Sequence, residues 1–218
     1  MARPRATISL LAALAGCLFS GNAEARNRIA PESDTSSGIV EAFPVLAPFQ
    51  HVRFCIRYPG DCKSNPNEAD RLELNDETSA LLKRINGRVN AAIAPALKSY
   101  GSNLADRWTI APTSGDCNDY AVTKRHELVA SGLPGRALRL SVVKTASGAG
   151  HLVLVAATTN GDLVLDNLTD AIRPWQRTGY EWLKIQSSRD AKFWSGLKAS
   201  RAAPAVSQDQ RKLRFADR

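Results

Sequence analysis

Histidine, cysteine and methionine are scarce in this sequence. Its 218 residues include three histidines, four cysteines and one methionine. Beyond the N-terminal segment no apolar run is long enough to cross a membrane, and no internal repeat is present. The sequence therefore excludes a protein with several membrane spans and a repeat protein. It also offers few side chains that could carry imidazole or thiol chemistry.

The sequence also lacks the pattern expected of a nucleic-acid-binding surface. Its formal net charge is +8, but no basic stretch is interleaved with stacking aromatics. The lysines and arginines are scattered, with one group near the C-terminus: Arg201, Arg211, Lys212, Arg214 and Arg218. A solvated basic surface is therefore favoured, and we expect no nucleic acid to be bound.

The N-terminus has the features of an export signal. Arg3 and Arg5 precede an apolar stretch over residues 6–19, and residues 23–25 read Ala-Glu-Ala. This is the pattern of a signal peptide at residues 1–25 that is cleaved after Ala25. Residues 14–17 also read as a lipobox, so a lipid anchor on Cys17 remains an open alternative. In either case we expect the protein to leave the cytoplasm.

The other cysteines divide into a close pair and a single thiol. Cys55 and Cys62 flank a Pro-Gly turn, and in an oxidising compartment a disulfide between them is the natural interpretation. A metal site is the alternative, but no second Cys or His pair lies nearby. Cys117 is then the odd thiol, and the polar residues around it argue against simple burial.

Composition divides the rest of the chain into three parts. Residues 26–42 are polar and predict a flexible leader, and residues 199–218 predict a basic, disordered tail. Residues 43–198 contain the apolar segments and are of a length that buries one core, so we expect a single domain there.

Two helices are predicted within this domain. The first begins at Asn75 or Asp76 and runs to about Ala94, where Pro95 ends it. Its predicted buried stripe is Leu81, Ile85, Val89 and Ile93. The second runs from Cys117 to Ala130, with Val122, His126 and Val129 predicted on its apolar face.

Alternating apolar residues predict four strands in the second half of the chain, at residues 138–143, 151–155, 162–166 and 180–185. The dipeptide at 160–161, Asn-Gly, is a strong hairpin signal between the second and third of these strands. Helices packed on an antiparallel sheet give an α+β fold.

Three side chains of this fold suggest a catalytic site. Cys117 lies at the start of a helix, which stabilises a thiolate. His151 begins the most apolar strand, and Asp166 ends the next strand. A thiol, an imidazole and a carboxylate in these places predict the nucleophile, base and orienting group of a thiol hydrolase.

The base is nearly assigned by elimination. His126 is nine residues beyond Cys117 on the same predicted helix, which is roughly 13 Å along the axis and too far for proton transfer. His51 has no evident catalytic context. The sequence alone does not decide which carboxylate orients the histidine. With residues 160–161 at the centre of the turn, Asp166 falls opposite Val155, which is not ideal for contact with His151, and Asp162 is the fallback.

The motifs resemble those of the bacterial transglutaminase-like cysteine proteinases. The resemblance covers about residues 43–194 and is carried by Gly-Asp-Cys-Asn-Asp-Tyr-Ala at 115–121, His-Leu-Val-Leu at 151–154 and Leu-Val-Leu-Asp-Asn-Leu at 163–168. It implies a papain-like, transglutaminase-like core and a periplasmic location. It also implies Cys117 as nucleophile, His151 as general base and acid, and Asp166 as orienter.

The resemblance further implies calcium. The best understood members of the family are calcium-dependent periplasmic proteases that release surface adhesins, and their calcium ligands include acidic residues in a D-C-E-D pattern around the nucleophile. Here the positions read Asp116, Cys117, Asn118 and Asp119, so one carboxylate is an amide and weaker binding is expected. The alternative, that Asp116 and Asp119 cap the helix, is equally open.

The resulting hypothesis is an exported thiol protease that cleaves a protein substrate at the cell envelope through a thioester acyl-enzyme. Two alternatives remain open from the sequence. One is a transglutaminase or other acyltransferase that uses the same triad, and the other is an inactive envelope binding module.

Overall fold

A seven-stranded antiparallel sheet organises the computed structural model, which describes residues 38–96 and 107–197. The predicted signal peptide, most of the leader and the tail lie outside the described residues. The strands of this sheet are β1 (Glu41–Val45), β4 (Leu138–Lys144), β5 (Gly150–Thr158), β6 (Gly161–Leu165), β7 (Arg173–Pro174), β8 (Glu181–Gln186) and β9 (Trp194–Leu197). They lie side by side in the order β1-β9-β8-β4-β5-β6-β7.

Three α-helices accompany this sheet in the described ranges: α1 (Phe49–Arg57), α2 (Asp76–Ala92) and α3 (Cys117–Ala130). A short parallel pair, β2 (Ala94–Pro95) and β3 (Ser114–Gly115), links the end of α2 to the start of α3. Helix α3 packs on β4 and β5, and α2 packs on α3. The α+β fold class is confirmed.

Helix α2 follows its local signals closely. The Asn75 side chain caps its start by accepting a hydrogen bond of 2.8 Å from the Thr78 N–H. The helix ends at Ala92, two residues before the predicted end. The buried stripe is also slightly rotated, because Leu82 is fully buried while Leu81 is only half-buried.

Helix α3 has the predicted bounds but not the predicted buried face. It lies between the sheet and α2, so almost every side chain from residue 119 to 125 is buried. Val129 is exposed, and the His126 side chain is 44% exposed and lies 2.8 Å from a carboxylate oxygen of Asp61. The prediction of His126 as an apolar-face residue is therefore wrong, because a helix covered on two sides has no single apolar stripe.

The β5–β6 hairpin corrects the predicted register. Thr158 pairs with Gly161, so residues 159–160 form the centre of the turn, and Gly161 takes a positive φ of 104°. Asp162 consequently faces Ala157 rather than Thr159. Continuing this register places Asp166 level with Val153, two residues nearer to His151 than the sequence count gave.

Two strands at one side of the sheet were not predicted from the sequence. Strand β1 begins at Glu41, inside the predicted leader, and the backbone N–H of Ile39 donates to Asp162. Residues 38–42 therefore belong to the folded domain. Strand β9 follows the strand predicted as last, and it pairs with both β1 and β8.

A disulfide joins Cys55 to Cys62 and ties the end of α1 to the following 3-10 turn (Pro59–Cys62). In the part of the chain that the structure describes, no helix combines the length and the apolar character needed to span a bilayer.

Candidate active site

Cys117 is the first residue of α3, and its position is fixed by a capping box. The Asp116 side chain accepts the Asn118 N–H at 3.0 Å, and the Asp119 side chain accepts the Asp116 N–H at 3.0 Å. Gly115 is required here, because a Cβ at this position would collide with the Asp119 side chain. Cys117 is half-buried, and it is the free thiol of the described residues.

His151 and Asp166 meet across the β5–β6 hairpin. The Nε2 atom of His151 lies 2.8 Å from Oδ1 of Asp166, and each side chain is only 5% exposed. The Asp166 carboxylate also accepts the backbone N–H of Leu168 at 3.0 Å and the hydroxyl of Tyr180 at 2.5 Å. Three donors from three parts of the chain therefore hold one carboxylate in place.

The Cys117 thiol also interacts with the imidazole, because it is one of the groups that raise the pKa of His151. Nε2 is used by Asp166, so Nδ1 is the ring nitrogen that remains for the thiol. Tyr180 lies against the His151 ring in an edge-on contact, with 5.8 Å between ring centroids. The structure thus brings together Cys117, His151 and Asp166, the three residues that the sequence analysis singled out.

Electrostatics favour a charged imidazole in this arrangement. Burial alone lowers the pKa of His151, but hydrogen bonds to Asp166 and Cys117 and their negative charge outweigh it and raise the pKa to about 9. Burial likewise opposes ionisation of Asp166, yet the hydrogen bonds from His151 and Tyr180 hold its pKa below the usual value. At neutral pH the pair is therefore an imidazolium and a carboxylate.

The three predicted calcium ligands have different environments. Asp119 is fully buried, and its two oxygens accept the backbone N–H groups of Asp116 at 3.0 Å and Thr109 at 2.8 Å. This buried carboxylate therefore holds the bend that carries the nucleophile. Asp116 and Asn118 are half-buried and carry side-chain oxygens of the type that calcium prefers, so these two fit.

The other candidate side chains lie elsewhere. His51 is buried among aromatic rings and accepts the Trp194 indole N–H at 3.2 Å. Burial lowers its pKa to about 4, so it is neutral. Asp162 lies at the opposite end of the hairpin from His151, where it bonds to Arg71 and Arg139. It is not the orienting group.

Sequence reasoning missed two residues around this site. Tyr180 precedes β8, and Asn90 on α2 donates to the backbone carbonyl of Asp166 at 2.9 Å. Both reach Asp166 through contacts between residues distant in sequence, which no local pattern reveals.

The sequence profile of one protein family, the bacterial transglutaminase-like cysteine proteinases, matches residues 42–202, which is more than half of the chain. No curated protein sequence matches the chain significantly.

Solved structures similar to this chain include forms of LapG from Legionella pneumophila. The calcium-bound form shares 23% identity over 61% of this chain and 75% of LapG, with a TM-score of 0.48. The EGTA-treated form shares 21% identity over 72% of this chain and 81% of LapG, with a TM-score of 0.46. The family assignment rests on the profile match.

A thiol at a helix start beside a buried histidine and aspartate agrees with that match. The chain belongs to the bacterial transglutaminase-like cysteine proteinases and is a cysteine peptidase.

Proposed function

We propose that this protein hydrolyses a peptide bond through a triad in which Cys117 is the nucleophile, His151 the general base and acid, and Asp166 the orienting group. The observation that carries the proposal is the buried hydrogen bond of 2.8 Å between His151 Nε2 and Asp166 Oδ1, with the Cys117 thiol interacting with the same ring. This arrangement orients the ring and stabilises its charged form.

The reaction follows from these positions. The Cys117 thiolate attacks the peptide carbonyl carbon, and the C–N bond breaks while His151 gives its proton to the leaving amine. A thioester on Cys117 remains. Neutral His151 then takes a proton from water, whose oxygen attacks the thioester and releases the acid and the thiolate.

The start of α3 would stabilise the oxyanion formed in each step. The first N–H groups of a helix have no acceptor within the helix, and Cys117 is the first residue of α3. Its N–H can therefore donate to the developing negative charge, in the manner of an oxyanion hole.

Hydrolysis and amine transfer proceed through the same acyl-enzyme, and an assay with a competing amine distinguishes between them. Purified full-length protein is incubated with envelope proteins in the presence of an excess of a fluorescent primary amine. Peptidase action produces new N-termini and new free carboxyl ends. If the new carboxyl ends carry the fluorescent amine instead of free carboxylates, the reaction is acyl transfer and the proposal of hydrolysis is refuted.

We propose that the substrate is a protein of the cell envelope. Support comes from the signal-peptide pattern at residues 1–25, which directs the chain out of the cytoplasm, and from the basic composition, which favours anionic envelope surfaces. We propose a periplasmic location from this export pattern together with the family to which the chain belongs. Fractionation of cells that express the tagged full-length chain tests it, and recovery with the cytoplasm would refute it.

We also propose that calcium binds beside the nucleophile, with Asp116 and Asn118 as its protein ligands. Both side chains are half-buried, in the bend that holds Cys117, while Asp119 holds the backbone of that bend. A bound cation would offset the negative charge of Asp116, which opposes formation of the neighbouring thiolate. Calcium-dependent thermal stability is the test, since an ion that binds only the folded state raises Tm with its concentration.

A further inference from the structure

The turn after β6 is held by one face of α2. Asn90 donates its side-chain NH₂ group to the Asp166 carbonyl oxygen at 2.9 Å and to the Asp170 carboxylate at 2.7 Å. Asn86, one helical turn earlier, donates to the Asp170 carbonyl oxygen at 3.1 Å. The two amides therefore hold both ends of the 166–170 turn, and the first residue of that turn is the triad carboxylate.

We propose that Asn90 is a positioning residue for the peptidase reaction, and that it fixes the backbone of Asp166 so that the carboxylate stays directed at His151. This inference rests on the proposed triad. Asn90 does not touch the reacting atoms, and its contribution passes through Asp166.

The chemistry at this place requires an amide nitrogen. Both short contacts of the Asn90 side chain are to acceptors, a carbonyl and a carboxylate, so the NH₂ group must face them. The amide oxygens of Asn86 and Asn90 are buried without a hydrogen-bond partner among the described residues. Both amide oxygens thus remain without a partner, whereas both NH₂ groups bond to the turn. This indicates that these two residues serve as hydrogen-bond donors to the turn.

Charged groups around the turn make the position of the Asp166 carboxylate sensitive to the loss of the Asn90 hydrogen bonds. Four ionisable side chains interact with Asp166 or lie in its turn: His151 on β5, Tyr180 before β8, Lys124 on α3 and Asp170. Lys124 is buried and attracts both Asp166 and Asp170. Without the hydrogen bonds from Asn90, the Asp166 carboxylate would be attracted toward Lys124 as well as toward His151.

The test compares Asn90→Ala and Asn90→Asp with the control Asn86→Ala in the full-length protein. Asn90→Asp keeps the shape and replaces the donor by an acceptor. Asn86→Ala removes a contact to the same turn that does not involve Asp166. The readout is the rate at which iodoacetamide alkylates Cys117 as a function of pH, with thermal melting measured in parallel, because alkylation needs no peptide substrate.

Both Asn90 variants should alkylate more slowly near pH 7.5, by up to about 100-fold, which is the loss that a 1 Å misplacement in an active site can cause. Their pH profiles should move toward that of His151→Ala. Asn86→Ala should lower the melting temperature and keep the wild-type profile. A wild-type profile in the Asn90 variants, or an equal shift in Asn86→Ala, would overturn the positioning role. A wild-type profile in His151→Ala would instead refute the triad on which it rests.

Discussion

Replacement of Asp166 by Asn should convert His151 from a charged to a neutral residue at neutral pH. In the wild-type protein the pKa of His151 is raised from 6.5 to about 9, which corresponds to about 3 kcal/mol in favour of the imidazolium. The amide of the variant would keep the shape of the carboxylate but lose the charge that supplies much of this energy. Burial, which lowers the pKa, would remain. We therefore expect the pKa of His151 to fall to about 6.5 or below.

The consequence for reactivity follows from the protonated fraction. At pH 7.5 a ring with a pKa of about 9 is almost fully protonated, whereas one at about 6.5 is roughly one-tenth protonated. The Cys117 thiolate loses its cationic partner in the same proportion. Alkylation and peptidase rates at this pH should therefore fall at least about tenfold in Asp166→Asn.

NMR titration of His151 and the pH dependence of Cys117 alkylation measure these two effects directly. Asp162→Asn is the matched control, because Asp162 is an equally buried carboxylate on the same hairpin with its partners at the other end. It should lose stability and leave the His151 titration unchanged. If Asp166→Asn titrates like the wild type, or if Asp162→Asn shifts His151 as much, the assignment of the orienting group is refuted.

Three further predictions concern stability, a surface histidine and calcium. Because the pKa of His151 is raised on folding, the stability that it supplies is complete below about pH 6.5 and is lost as pH rises through about 9. The Tm of the wild type should therefore fall across that window, and the Tm of Asp166→Asn should fall less. Parallel curves of Tm against pH for the two proteins would contradict this. His126→Ala should keep wild-type peptidase rates and lose at most about 1 kcal/mol of unfolding free energy, because the Asp61 pair is partly exposed; a dead variant would mean that the base is misassigned. Asn118→Glu should bind calcium more tightly than wild type in calorimetry, because a charged oxygen replaces a neutral one, and no heat in either protein would refute the calcium site.

Local signals predicted much of the fold around the nucleophile. The bend at Asp116 and the start of α3 depend on the capping residues Asp116 and Asp119, and its end is followed by Gly132 and Pro134, which act within a few residues. The buried face of α3 could not be read in this way. Its two-sided burial by the sheet and α2 is a tertiary property that hides the helical period.

The hairpin shows how a small local error propagates. Placing Asn160 and Gly161 at the centre of the turn, instead of Thr159 and Asn160, displaced Asp166 by two residues relative to His151. Thr158 explains the difference, since its hydroxyl bonds to the Gly161 carbonyl oxygen and to the Asn160 N–H and closes the turn one residue earlier.

The supporting side chains were beyond the reach of sequence patterns. Asn90 and Tyr180 lie 76 and 14 residues from Asp166 and converge on it from different elements. Strand β1 pairs with β9, which lies still farther away in the sequence, and this is why the domain boundary was placed too late.

Cleavage of proteins by Cys117, with His151 as its base, can be measured directly in cells. Mass spectrometry identifies protein N-termini in envelope fractions from cells that produce the wild-type chain, Cys117→Ala or His151→Ala at equal levels. We expect a set of new N-termini with the wild type that both variants lack. The same new N-termini in cells that produce Cys117→Ala would contradict it.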